Sequence, residues 1–401
     1  MTENQHLDFQ KFFSSLSPEP EYLPTVPRKK YDFAVAYPDP SSLPLKELAI
    51  SLENALSQEG RDLAVYPHVD GYPPLREFVA TKLFNDRKIQ VLSDQIILGD
   101  GSSEAIHMVT EIFIEPRDIV ITEQFTYRGS LRTFKRFNAD VRGVMCDDDG
   151  MLPDMLELTI KQALSQRMRP KLIYTIPTFQ NPMGWTMSKE RRKAILNISR
   201  QYSIPILEDD CYVDLRYDGH DIESIRALDD LDEVLYVGSF SKIIAPGMRL
   251  GYLTAPKVVL DKIRAIKSGG GVNQFAALAV HKYATANLVS HIKQINQNMS
   301  FKRNAMLAAI GENFGSYADW NNPAGGLYIW MKLSNQVDVV KAHQLALNAD
   351  VGYHPGPVFS PDSISGRNYL RLCFGYNTVD EIHEGIGRLA EVFNGEEFLA
   401  T

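Results

Sequence analysis

An α/β fold, with a mostly parallel seven-stranded sheet flanked by helices and a smaller α+β portion after it, is what this 401-residue sequence predicts. Three observations carry the prediction. Short apolar runs recur seven times between Ile96 and Thr254, amphipathic helical patterns separate them, and a long helical stretch begins near Val272. Continuous apolar runs bounded by polar residues suit strands buried on both faces, and alternation with helices suits parallel pairing.

Residues 1–45 are rich in Pro and Ser (SLSPEPEYLPTVP, then YPDPSSLP) and read as an extended arm. A helix is predicted over 45–57. Strands follow at 96–98, 119–122, 141–145, 172–175, 205–208, 234–237 and 250–254, with helices such as 102–112 and 188–202 between them. Beyond the long helix, strands are expected at 326–331 and 369–373. The resulting division is an N-terminal arm (1–45), a large domain (46–280) and a small domain (281–401) that takes in part of the arm. No internal repeat or low-complexity block is present.

Composition narrows the function. The 42 Lys+Arg against 50 Asp+Glu give a net charge of −8 with no long basic run, which argues against nucleic-acid binding. Cys146, Cys211 and Cys373 are far apart, follow no metal-ligand spacing and suit a reducing compartment. No apolar run approaches the ~20 residues of a membrane span. The opening MTENQHLDFQKFF lacks a basic region followed by an apolar one, so no signal peptide and a cytoplasmic location are expected.

In open parallel sheets ligands bind beyond the carboxyl ends of the strands, so polar residues where apolar runs stop are the candidates. The segment Val237-Gly-Ser-Phe-Ser-Lys-Ile-Ile-Ala-Pro-Gly-Met-Arg-Leu-Gly-Tyr puts Lys242 just past a run. Most lysines are exposed, but this one stands among apolar residues near Arg249. Desolvation and positive charge lower a lysine pKa and free a neutral amine for imine formation. Ser239, Ser241 and Arg249 suit a phosphate. Ile206-Leu-Glu-Asp-Asp-Cys-Tyr ends a run in carboxylates, either a solvated strand end or an acid, Asp209, that keeps a pyridine nitrogen protonated. Tyr212 can then hydrogen-bond the ring's 3-oxygen. Asn181, in the Pro/Gly-braced turn of Pro177-Thr-Phe-Gln-Asn-Pro-Met-Gly, can donate to that oxygen too.

Two further places complete the set. Leu98-Gly-Asp-Gly-Ser-Ser-Glu reads as strand, turn and helix start, where Gly101, Ser102 and Ser103 offer an anion site or a plain helix cap. Arg371, inside the apolar Tyr369-Leu-Arg-Leu-Cys-Phe, needs a buried partner, either a structural acid or a substrate carboxylate.

Together, SFSKxxxPGxRLGY, EDDxYxxLRY, PxFQNPxG, GDGSSEA and RLxF resemble the class I aminotransferases of PLP fold type I, from about Asp32 to Phe374. The aminoadipate/kynurenine-type branch and MocR-type regulators look nearest. The resemblance implies a pyridoxal 5'-phosphate enzyme moving an amino group from an α-amino acid to a 2-oxo acid through a Schiff base on Lys242. It implies Asp209 at the pyridine nitrogen, Asn181 and Tyr212 at the 3-oxygen, and Ser102, Ser103, Ser239, Ser241 and Arg249 at the phosphate. Tyr127 matches the stacking aromatic and Arg371 the α-carboxylate arginine. Tyr66 matches a tyrosine that reaches the neighbouring subunit's phosphate, which implies a homodimer with shared sites. Where the family usually has glycine, this chain reads Phe33-Ala-Val-Ala36-Tyr37, so Ala36 and Tyr37 are expected to narrow the substrate pocket beside Tyr328, His354 and Phe359. Met183 and His354 also depart from the usual residues. These departures keep a PLP-dependent lyase, decarboxylase or other biosynthetic enzyme on the same fold as the alternative. A ligand-sensing regulator is disfavoured because the Pro-rich arm is unlike a helix-turn-helix.

Overall fold

Seven strands of one sheet account for all seven apolar runs. A computed structural model describes residues 7–14, 17, 28–267 and 269–394; most of the Pro-rich stretch of the expected arm lies outside the described residues. In chain order the strands are β1 (Ile96–Gly99), β2 (Ile119–Glu123), β3 (Asp140–Val144), β4 (Pro170–Thr175), β5 (Ile206–Asp209), β6 (Leu235–Ser239) and β7 (Gly251–Thr254). Their spatial order is β1-β7-β6-β5-β4-β2-β3. Every residue of β1, β2, β5, β6 and β7 is buried, as helices on both faces require.

Only β7 runs against its neighbours, pairing Gly251 with both Gly99 of β1 and Ser239 of β6. Its start therefore lies beside the carboxyl ends of β1 and β6. That reversal brings Arg249, just ahead of β7, to the same edge as the residues that follow the parallel strands.

The 41-residue helix Gln274–Phe314 leads into the second α+β portion. The proposed domain division at residue 280 falls inside this helix. The second sheet orders β8 (Ala318–Trp320), β9 (Tyr328–Leu333), β11 (Tyr369–Cys373) and β10 (His354–Pro355) as β8-β9-β11-β10, all antiparallel. Cα register sets Arg371 opposite both Trp330 and His354.

Residues 31–39 strap the N-terminal segment to both portions. Tyr31–Asp32 pairs in parallel with Val351–Gly352, and Cys373 N–H donates to the Phe33 carbonyl at 2.8 Å. Further on, Asp39 Oδ2 meets Lys302 Nζ of the long helix at 2.7 Å, both side chains buried. A buried ion pair is held together strongly only when its other hydrogen bonds are made. Asp39 also accepts from Ser41 and Asn298, and Lys302 also donates to the Gly375 carbonyl. Among the described residues no helix is long and apolar enough to cross a membrane.

Candidate active site

Five loops at the carboxyl edge of the large sheet, the strap at residues 34–36 and strand β11 converge on Lys242. Its Nζ donates to the Ala36 carbonyl at 2.6 Å. Part of the stem is open, yet the amine is enclosed enough that burial lowers its pKa below the ordinary 10.5; Cys373 and Cys211 oppose this shift, and Arg371 and Arg249 add to it. An amine so placed gives up its proton more readily than a surface lysine.

Asp209 closes β5 and is 3% exposed. Its Oδ2 accepts from Tyr174 Oη at 2.7 Å, while Oδ1 is buried with no hydrogen-bond partner. Burial pushes this carboxyl up, opposed by the adjacent Cys211 and by the Tyr174 hydrogen bond. Asn181 is fully buried and links two predicted residues: Nδ2 donates to Tyr212 Oη at 3.1 Å, and Oδ1 accepts from Arg371 Nη1 at 2.8 Å. Tyr328 Oη donates to Tyr212 Oη at 2.7 Å, with the two rings edge to face. Arg371, 2% exposed, gives Nη2 to the Ala34 carbonyl at 2.5 Å and leaves Nε buried without a partner. The Tyr328 and Phe359 rings face its guanidinium at 4.5 and 4.9 Å.

The phosphate candidates gather where β1, β6 and β7 meet. Gly101 has φ +83°, and a Cβ there would lie 2.7 Å from Arg249 Nη2, which donates to the Asp100 carbonyl at 2.6 Å. A Cβ on Gly251 would lie 2.7 Å from Ser102 N. Two glycines thus let the turn after β1 pack against the start of β7 and against the Arg249 side chain. Ser102 and Ser103 open the helix Ser102–Phe113, whose Gly101 cap offers no side-chain oxygen, so its first N–H groups stay available to an anion. Ser241 N–H donates to Ser239 Oγ at 3.1 Å. Tyr127 lies over Gly129, where a Cβ would come within 2.5 Å of its ring.

Two predicted residues stand apart. Tyr66 is 98% exposed and makes no hydrogen bond to this cluster. Tyr37 is 45% exposed, its ring edge-on to Tyr376 and beneath Arg28. Its carbonyl is pressed against Gly375, where a Cβ would be only 2.5 Å away, and this contact leaves the ring facing outward. The Ala36 carbonyl, rather than its methyl, makes the contact with Lys242.

The sequence matches the family model for aminotransferase class I and II over residues 35–389. An aromatic-amino-acid aminotransferase 1 of Thermococcus litoralis is 32% identical over 400 residues, 97% of this chain and 96% of that protein. A kynurenine aminotransferase of Pyrococcus horikoshii, solved in complex with PMP, superposes with a TM-score of 0.92 at 32% identity over 98% of this chain and 99% of the other. A multiple substrate aminotransferase of Thermococcus profundus gives 0.91 at 29% identity over 97% and 98%.

The chain belongs to the class I and II aminotransferases.

It is a pyridoxal-phosphate-dependent transaminase of PLP fold type I, and these likenesses do not favour the lyase or decarboxylase alternative. The aminotransferase's own side chains fit the cofactor. A buried, unpartnered Asp209 Oδ1 suits a ring N–H, since such an oxygen is costly if nothing meets it. The glycine-lined meeting of β1 and β7 leaves N–H groups and a guanidinium for a phosphate. Sequence reading missed Tyr174 and Ser130, which donates to Tyr174 Oη at 2.9 Å, because a tyrosine inside an apolar strand reads as core. It also missed the Ala34 carbonyl, a backbone group that no side-chain pattern reveals.

Proposed function

We propose that Lys242 is the residue that joins the cofactor aldehyde and carries the transferred proton in this transaminase. When bound, pyridoxal phosphate supplies an aldehyde for imine formation and a protonated ring that withdraws electrons. In this reading Asp209 keeps the ring nitrogen charged, Tyr212 and Asn181 hold the 3-oxygen, and Tyr127 covers the ring face. Gly101, Ser102, Ser103, Ser239, Ser241 and Arg249 hold the phosphate. Arg371 grips the α-carboxylate of the amino acid or 2-oxo acid, Asn181 completing that grip beside Tyr328, while Ala36 shapes the floor. Lys242 Nζ would take the substrate's Cα proton and pass it to the cofactor's aldehyde-derived carbon, and the enclosing loops keep water from competing for it.

One observation carries this reading: an enclosed amine and a buried carboxylate oxygen without a partner stand at one edge of the large sheet, and a buried arginine of the second sheet reaches that edge through Asn181. Borohydride reduction of cofactor-loaded protein should attach the cofactor to Lys242 in a peptide map. Lys242→Ala should abolish both the adduct and turnover; an adduct at another lysine would overturn the assignment.

We also propose a homodimer that shares its sites. Exposed Val65, Tyr66 and Phe275 line one surface cleft, and a second cleft running from Phe275 to Arg249 and Asp100 opens beside the phosphate residues. Tyr66 of the partner subunit could reach Arg249 along it. Free Cys146, Cys211 and Cys373 suit a reducing compartment, supporting a cytoplasmic location. The proposed organisation is an arm (1–45), a large domain (46–280) and a small domain (281–401), the long helix Gln274–Phe314 joining the last two.

A further inference from the structure

Arg128 follows Tyr127 as the first residue of the helix Arg128–Arg136 and is partly buried. Its Nη1 stands 3.4 Å from His354 Nε2, and no carboxylate pairs with it among the described residues. A guanidinium can only donate, so His354 Nε2 is the acceptor and the ring proton belongs on Nδ1. Burial first, then the charges of Arg371 and Arg128, push the His354 pKa well below 6.5. The ring is therefore neutral at physiological pH.

The result is two guanidiniums flanking an uncharged imidazole. His354 is the β-register partner of Arg371, and its ring stands edge-on to Phe359, which also faces Arg371. Arg371 already spends two of its N–H groups on Asn181 and Ala34. A substrate with one carboxylate answers Arg371 and leaves Arg128 with one long contact to a neutral ring. Partly desolvated charge is costly without a counter-charge, and a forked guanidinium suits a carboxylate.

We infer that Arg128 anchors the side-chain acid group of a dicarboxylic amino acid and its 2-oxo diacid, with His354 as its positioning residue. This rests on the reading of Arg371 as the α-carboxylate residue. Neither Arg128 nor its pairing was evident from the motifs; the His354 departure from the family pattern acquires a reason here. An aliphatic residue at 354 would leave Arg128 free to swing away.

The test compares ligands of nearly equal size and different charge. Calorimetry on the cofactor-loaded protein should show glutarate binding about 100-fold tighter than butyrate, a ratio that Arg128→Gln cuts at least tenfold. Single-turnover bleaching of the cofactor band should prefer glutamate to glutamine, with the same collapse in Arg128→Gln. Arg128→Lys should restore part of the ratio, since it keeps charge and loses the fork. His354→Leu should lower it several-fold, which covers the case of an Arg128→Gln protein that does not fold. A ratio unchanged in both the Arg128→Gln and His354→Leu proteins, or no preference for the diacid in the unaltered protein, overturns the inference while leaving the transaminase reading intact. Failure of every amino acid to bleach the band would instead overturn the Lys242 assignment.

Discussion

Tyr174 Oη donates a 2.7 Å hydrogen bond to Asp209 Oδ2, and Ser130 Oγ in turn donates to Tyr174 at 2.9 Å. The relay fixes one carboxylate oxygen and leaves the other, Oδ1, bare. Burial drives Asp209 toward its neutral form and Tyr174 opposes that. Tyr174→Phe should strand Oδ2, raise the Asp209 pKa further and shift the acid limb of the kcat profile to higher pH. A hydrogen bond to a charged group is worth about 1.5–3 kcal/mol, so kcat should fall roughly 10- to 100-fold. An unchanged pH profile would remove Tyr174 from this role.

The same substitution should have opposite outcomes at two neighbouring glycines. Gly101 combines φ +83° with Arg249 Nη2 at 2.7 Å from any Cβ, while a Cβ on Gly247 meets nothing within 4 Å. Gly101→Ala should cost about 1–3 kcal/mol in strain and push Arg249 off the Asp100 carbonyl. Cofactor dissociation, followed by fluorescence titration, should then weaken by about tenfold or more. Gly247→Ala should leave the affinity within a factor of about two.

Glu208 is a source of pH-dependent stability beneath the site. Its two oxygens accept from Ile225 and Arg226 N–H at 2.8 Å each. Burial, then Asp210, raise its pKa to about 7, against the pull of Arg192. Between the ordinary 4.5 and that value the folded state holds a proton that the unfolded chain has released. This group's contribution to stability is therefore greatest below about pH 4.5 and falls as pH rises toward 7, by at most about 1.4 kcal/mol per pH unit. Glu208→Gln should flatten that part of a thermal-denaturation pH series. It should also lower stability overall by about 1–3 kcal/mol, because an amide accepts at only one of the two oxygens' positions.

The large sheet was legible because strands buried on both faces are written as unbroken apolar runs, Ile119-Val-Ile being one. Lys242 and Asp209 could be singled out as candidates because each stands where such a run stops. The direction of β7 was not, since apolar periodicity is the same whichever way a strand runs. With it went the reason Arg249 meets Asp100 and Gly101. Tyr174 was hidden by its own burial, and the Ala34 and Ala36 carbonyls belong to a strap whose path depends on pairing with Val351–Gly352 far along the chain. Tyr37 was expected in the pocket from its place beside Ala36, but the close approach to Gly375 fixes its backbone with the ring outward.

Tyr66 offers the sharpest test of the proposed shared site, because within its own subunit it does nothing visible. At 98% exposure, Tyr66→Phe should alter the subunit's stability by no more than about 0.5 kcal/mol. If its hydroxyl holds the partner's phosphate, the same change should weaken cofactor affinity about tenfold, the loss of one hydrogen bond to a charged group. Co-expression with Lys242→Ala then separates the two arrangements. In a mixed dimer, the site built on the Tyr66→Phe subunit keeps its own Lys242 and receives an intact tyrosine from the Lys242→Ala subunit. At limiting cofactor, adding this inactive subunit should therefore raise activity per Tyr66→Phe chain several-fold. A site completed within one chain gains nothing from an inactive partner, so activity that stays flat across all mixing ratios would rule out the shared arrangement.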